Sequence, residues 1–385
     1  MTTAALRSPT TGAVLVPDGP HVLAAAGERW PVVDGIPYLR TGREELIRAT
    51  LGRLDAGDAE GALALLLADQ DDWWDGAPPA PAALSALLRD RDRLSLRDAM
   101  AFLGFGRVGD YFAHRWSDPT FLAGLALIEA HWREPSSVFE LACGIGHYLR
   151  ELSLRGVAAV GGDVVFSKLW LARHWVVGRE ASLVCFDAGT PWPVAGRFDL
   201  VLCQDAFYFL DPKDAILDAL RARTGPDGTL CVGHIHNRSA PNLSAGAGLL
   251  PSEVEELFPD AVTYDDDELT RALAEARAPR PSPLSALEDV EAFAVADGPG
   301  LLRVPRRLEG GLALPAPGAT LARNPLYDGG EDGRSVAWPS DRYAREYGLR
   351  ATYPARTELP PLPRAGASTL RSARLRELVA LPERW

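Results

Sequence analysis

Apolar and polar positions change rhythm several times along the 385 residues, and each change predicts a different kind of element. Residues 1–45 carry LRSPTTGAVLV and AAAGERWPVVDGIPYLR, where apolar positions alternate and Gly and Pro interrupt them. This predicts short strands joined by tight turns. Residues 46–118 shift to helical spacing, as in EELIRATLGRLDAGDAEGALALLLAD and, after a Pro-rich break, in PAALSALLRDRDRLSLRDAMAFLG. In VGDYFAHRWSDPTF, Tyr111, Phe112, His114 and Trp116 crowd together. That density suits a helix packed on its neighbour or a lid over a ligand site.

Residues 119–245 alternate most regularly. The helix FLAGLALIEAHW precedes a strand, SSVFELA; HYLRELSLRG is a helix closed by Gly156, and VAAVGGD a second strand. VFSKLWLARHWVVG reads as a helix, ASLVCFDA as a third strand, and FDLVLCQDAFYFL as a fourth running into a turn. DPKDAILDALRARTGPDG reads as a helix opened by Asp and closed by Gly, before a fifth strand, TLCVGHIHN. Strands alternating with helices imply a parallel, doubly wound α/β sheet. Beyond 246, PSEVEELF and DDELTRALAEARA look helical and VEAFAVADG looks like a strand, which would complete the sheet. From 300 onward Pro, Gly and Arg predict a loop-rich extension over the main domain, ending in a helix at TLRSARLRELVALPERW. The expected organisation is a β module (1–45), a helical lid or linker (46–118), the α/β domain (119–299) and the extension (300–385).

Composition narrows the function. A formal charge of −12 disfavours a general nucleic-acid binder, which needs a basic surface. No apolar run reaches the roughly 18–20 residues that span a bilayer, and the N-terminus lacks the layout of a secretion signal. A cytoplasmic location without membrane attachment is expected. Cys143, Cys185, Cys203 and Cys231 form no CxxC pair and read as small buried hydrophobes.

The chemistry concentrates in VFELACGIGHY, residues 138–148. An apolar strand ends in an acid, Glu140, followed by a small-residue loop with Gly144 and Gly146. A dinucleotide site would want a third glycine three residues after Gly146, where Leu149 stands. An acid before the loop suits a cationic ligand better than a pyrophosphate. The segment E-L-A-C-G-I-G resembles the first motif of class I S-adenosylmethionine-dependent methyltransferases, with Ala142 in place of the first family glycine.

The resemblance implies a Rossmann-like sheet, S-adenosylmethionine as cofactor, and a set of binding residues. Glu140 would hold the methionine end, with the backbone from Ala142 through Cys143 and Gly144 to Gly146 passing beside it and His147 close by. Asp163, ending the second strand, would accept the ribose hydroxyls. Asp187 would meet the adenine amino group, with Ala188 supplying backbone. Gln204 and Asp205 would border the methionine moiety and the acceptor. Residues 1–45 resemble, more weakly, the zinc-ribbon-like Trm112 modules of some bacterial methyltransferases, through WPVVDGIPYLR. Ser8 and Thr11 stand where such modules often carry cysteines, so a cysteine-free, metal-free structural module is implied.

Methyl transfer to a hydroxyl or an amine is helped by a base. His234 and His236 are two apart, so on a strand both face one side, and histidine titrates in the right range. Tyr208 and Asp205 sit on the neighbouring loop. Each histidine could equally be a hydrogen-bonded structural residue; a paired metal site lacks a third ligand, so no metal is expected. The charge and the extension favour a small-molecule acceptor such as a natural product, sugar or related metabolite. RNA or protein methylation, or non-catalytic cofactor binding, are the alternatives, and homo-oligomers remain open.

Overall fold

The strand segments read above are apolar on both faces, and such strands are stable only when layered between helices. The computed structural model, which describes residues 5–71, 74, 76–241, 246–315, 320–330, 332–359 and 369–385, meets that requirement with one mixed seven-stranded sheet. Its strands are β1 (Ser137–Leu141), β2 (Ala158–Asp163), β3 (Ala181–Cys185), β4 (Phe198–Gln204), β5 (Thr224–His236), β6 (Val262–Asp265) and β7 (Ala292–Asp297). Their order across the sheet is β6-β7-β5-β4-β1-β2-β3. β1 to β5 run parallel, β7 is antiparallel to β5, and β6 is antiparallel to β7. This is the Rossmann-like, doubly wound α/β architecture expected from the pattern. Strand order reverses between β1 and β4, and a crevice opens there at the carboxyl ends of the strands. Register aligns those ends, for Glu140 pairs with Gly161 and Leu202, and Asp163 with Cys185.

Helix α1 (Gly106–His114) lies over this edge, and α2 (Pro119–Ala130) is buried along its whole length. The side chain of Asp118 caps α2 by accepting from the Thr120 N–H at 2.7 Å, and Pro119 supplies a pre-set first turn. Gly124 in α2 is dictated by packing: a Cβ there would lie 2.2 Å from the Tyr148 hydroxyl. α3 (His147–Ser153) follows the glycine loop, and α4 (Asp266–Ala274) packs on α2.

The first residues form a four-stranded antiparallel meander, Val16–Pro17, Val22–Ala25, Glu28–Val33 and Ile36–Pro37. Glu28 ties its turn together, accepting from Ser8, from Thr10 at 2.7 Å and from Thr11 at 3.4 Å. The chain then runs alongside β3, where the Leu39 N–H donates to the Cys185 carbonyl at 2.7 Å and covers an otherwise open edge.

Four details depart from the sequence reading. The helix before β5 ends at Arg223, and TGPDG belongs to β5, where the ladder with β4 slips between Phe198 and Leu200. β6 arises from VTYD, too short to stand out. The expected terminal helix is only Leu370–Arg374, because Arg376 turns left-handed (φ 59) and Leu378–Val379 pairs with Ala322–Arg323. Conversely, α5 (Asp341–Tyr347) forms inside the stretch read as loops, capped by the Ser340 hydroxyl. Among the described residues no helix is long and apolar enough to cross a membrane.

Candidate active site

One cavity of about 750 Å³ opens along the carboxyl ends of the strands. Its walls include Glu140, Ala142, Cys143, Gly144 and His147 from the tip of β1 and its loop, and Asp163 from β2. Asp187 and Ala188 come from beyond β3, Gln204, Asp205 and Tyr208 from the end of β4, and His234 and His236 from β5. Of the residues anticipated from sequence, Gly146 alone does not line it. It begins α3 at φ 84, and a Cβ there would meet the Val177 side chain at 2.5 Å, so its need is conformational and steric.

At the β1 end, Glu140 is buried and its Oε2 has no hydrogen-bond partner among the described residues. Burial, with the nearby Asp163 charge, pushes its carboxyl well above the usual range, against the pull of Arg115. A cation bound beside it would reverse that shift and hold the carboxylate ionised. Asp163 accepts from the Gly144 N–H and the Val165 N–H, each at 2.9 Å, which fixes the loop against the second strand. A carboxylate offers about four acceptor sites, so others remain. Asp187 accepts the Gly189 N–H at 2.8 Å within its own turn. The Gln204 amide donates to the Cys231 carbonyl at 3.0 Å. His147 accepts no proton readily: its Nε2 lies 3.0 Å from the Phe112 carbonyl, and burial, with Arg115, holds its pKa down at about 3.

The β4–β5 end is more polar. Asp205 receives hydrogen bonds from Tyr111 at 2.7 Å and Tyr208 at 2.9 Å, and an ion pair from Arg115 at 3.0 Å. Burial would raise its pKa, but Arg115 and the two histidines outweigh it and hold the value at about 2. His234 Nδ1 lies 2.6 Å from Asp266 Oδ2. Its burial favours the neutral ring, yet Asp266 and Asp205 raise the pKa overall. The rings of His234 and His236 meet edge to face with centroids 4.6 Å apart. They converge for a different reason than strand alternation, because His234 sits in a bulge at φ 53 where the β5–β7 ladder slips. Neither nitrogen of His236 has a hydrogen-bond partner among the described residues, and burial plus His234 lower its pKa to about 3.

The expectation that the histidine pair lacks a third ligand is corrected here. Ligand atoms of Asp205, His234 and His236 lie within 4.8 Å of one another. Sequence reading also missed Arg115 on the cavity wall and Asp266 behind His234, whose partners Asp205 and His234 are distant in the chain, and the α5 wall with Tyr343, Tyr347 and Arg350 beyond it. The aromatic segment 111–116 proves to pack and to line: Tyr111 and Phe112 face the cavity, while Trp116 lies 4.4 Å from the His147 ring.

Residues 139–232 match the family described as Methyltransferase domain. No curated protein matches the chain. Among solved structures, a TehB-like SAM-dependent methyltransferase from Corynebacterium glutamicum is 18% identical, with 45% of this chain and 85% of that one covered and a TM-score of 0.33. An amino pentose methyltransferase of calicheamicin biosynthesis from Micromonospora echinaspora is 24% identical (31% and 52% covered, TM-score 0.27). Phosphoethanolamine N-methyltransferase 2 from Haemonchus contortus is 15% identical (53% and 59% covered, TM-score 0.38). The chain therefore spans little more than half of the latter two, and overlaps this loose carry no information on reaction or substrate. The residues matched by the family run from β1 into β5.

Proposed function

We propose that this chain is an S-adenosylmethionine-dependent methyltransferase acting on a small-molecule acceptor, a natural product, sugar or related metabolite. The observation that carries the reading is Glu140, a buried carboxylate with an unsatisfied oxygen at the reversal point of the sheet. A cationic amino group is the partner that would satisfy it, and the acids ending β2 and following β3 line the same cavity.

The residues fit the cofactor. Glu140 would hold the methionine ammonium, the loop from Ala142 to Gly144 the carboxylate side, Asp163 the ribose, Asp187 and Ala188 the adenine. When bound, S-adenosylmethionine supplies a methyl group on a positively charged sulfur. The chain's own task is to place the acceptor in line, exclude water and take a proton. His234 is oriented by Asp266, and His236 keeps a neutral ring with unpartnered nitrogens at the wall. His234, whose pKa Asp266 and Asp205 raise, can receive an acceptor proton, and Asp205 stabilises the resulting imidazolium. Tyr208 is held by Asp205 at the same wall. α5 adds Tyr343 and Tyr347, which narrows the acceptor end and favours a small molecule over a polymer. We read residues 1–45 as a metal-free relative of the Trm112-like modules, supported by the meander and by the Glu28 knot.

Equilibrium binding of S-adenosylhomocysteine to the wild type and to Glu140→Gln tests the reading. Loss of one charge partner at about 2 kcal/mol should weaken binding roughly 30-fold. Equal affinity of the two proteins would remove Glu140 from the cofactor site and the reading with it.

A further inference from the structure

We propose that Asp205, His234 and His236 form a site for a divalent transition-metal ion at the acceptor end of the cavity, with its open positions toward the acceptor. The metal site stands on this chain's side chains alone; only the acceptor's identity as a methyl acceptor rests on the function proposed above.

Two imidazoles and one carboxylate are a donor set suited to ions such as Mn²⁺, Fe²⁺ or Zn²⁺, and three protein ligands leave positions free for a small molecule. Each member has spare capacity. His234 gives Nδ1 to Asp266 at 2.6 Å, which leaves Nε2 as the ligating atom. A carboxylate behind a ring in this way is the usual support of a metal-bound histidine, fixing tautomer and orientation. His236 is 4% exposed with both nitrogens unpartnered among the described residues, an expensive arrangement unless something binds there. Asp205 carries Tyr111 and Arg115 on Oδ2 but, among the described residues, Tyr208 alone on Oδ1, which keeps a lone pair for a cation.

Distance and charge also bear on the site. Metal bonds of about 2.1 Å put neighbouring ligand atoms roughly 3–3.5 Å apart, so a set spread over 4.8 Å must draw inward. His236 can move without breaking a hydrogen bond, shifting only against the rings of Tyr208 and His234. Asp118 and Asp205 share Arg115 and Asp266 backs His234, three negative charges to one positive, so a dication is close to neutralised. Arg350 lies nearby but is matched by Asp267 at 3.8 Å and Glu291 at 3.6 Å. Loaded, the ion would bind an acceptor oxygen and lower the pKa of a hydroxyl held there, so that it loses its proton to solvent and the ion replaces the free His234 as the activating group.

The test is metal titration of the chelator-stripped full chain with Mn²⁺ and Zn²⁺, read by equilibrium dialysis and by calorimetry, with S-adenosylhomocysteine binding measured on the same samples. One equivalent per chain is expected, weakened 10–100-fold in Asp266→Asn through loss of the support and abolished in the His234→Ala/His236→Ala double variant. Thermal melts check that the variants fold, and their affinity for S-adenosylhomocysteine should stay within a few-fold. No stoichiometric binding by the wild type, or binding indifferent to His236→Ala in a folded protein, overturns the site. Metal binding without S-adenosylhomocysteine binding would leave the site standing and sink the methyltransferase reading instead.

Discussion

Three non-glycine residues at the cavity, Ala142, Asp205 and His234, adopt left-handed backbone at φ 54, 53 and 53. Each costs about 1–2 kcal/mol, and such strain gathers where side chains must be aimed rather than packed. Ala142 stands where the resembling family has glycine. Ala142→Gly should therefore leave stability within about 1 kcal/mol of wild type, strain relief offsetting the entropy of the unfolded chain. Chemical denaturation checks this, and a larger loss would show that the methyl group is needed for packing. Protonation offers a second test. His236 and His147 are held at about 3, and His114 and His131 at about 4, mainly by burial. The folded protein keeps these rings neutral while the unfolded chain protonates them below about 6.5. Their contribution is thus complete above pH 6.5 and is lost as pH falls toward 3 to 4. The raised groups His234 and Glu140 act in the opposite sense, but the four depressed rings outnumber them, so melting temperature should fall from pH 6.5 to 4.5; a rise over that range would contradict the burial of these rings.

At the level of elements, the alternation of strand and helix over 119–245 was legible because each strand is apolar on both faces and each helix ends in Gly or a polar turn. The acids at the strand tips fall out of the same alternation, while their ligand roles come from the family resemblance alone. What escaped was short or non-local. VTYD is four residues long, and α5 shows its apolar face only through Tyr343 and Tyr347. Asp266 reaches His234 across 32 residues with no motif to announce it. The bulge at His234 could not be read from a strand pattern that assumes regular alternation. Ser340→Ala removes the side-chain cap of α5 and should cost about 1 kcal/mol. Hydrogen exchange should show the loss confined to 341–347; faster exchange throughout the sheet would mean α5 is integral to the core.

For the whole molecule, the extension returns across the domain and closes on the helices that wall the cavity. The Trp385 indole donates to the Ala113 carbonyl at 2.7 Å, Arg97 stacks over its ring, and Arg384 donates to the Arg91 and His174 carbonyls, each at 2.7 Å. Trp385→Ala should destabilise the protein by about 2–3 kcal/mol, somewhat less than a fully buried aromatic. It should also weaken ligand binding at a site it does not touch, by loosening α1. Unchanged denaturation would detach the extension from this role. At the other end, the meander and Leu39 cover β3, so the central sheet has its parallel edge occupied before any partner is considered.

The most direct measurement is a crystal structure with S-adenosylhomocysteine soaked or co-crystallised. The expected density has the amino group on Glu140, the ribose on Asp163, the adenine beside Asp187 and Ala188, and the sulfur directed toward Asp205, His234 and His236. Density elsewhere, or a nicotinamide dinucleotide retained with its pyrophosphate on the 142–146 loop, would contradict the assignment of this cavity to methyl transfer.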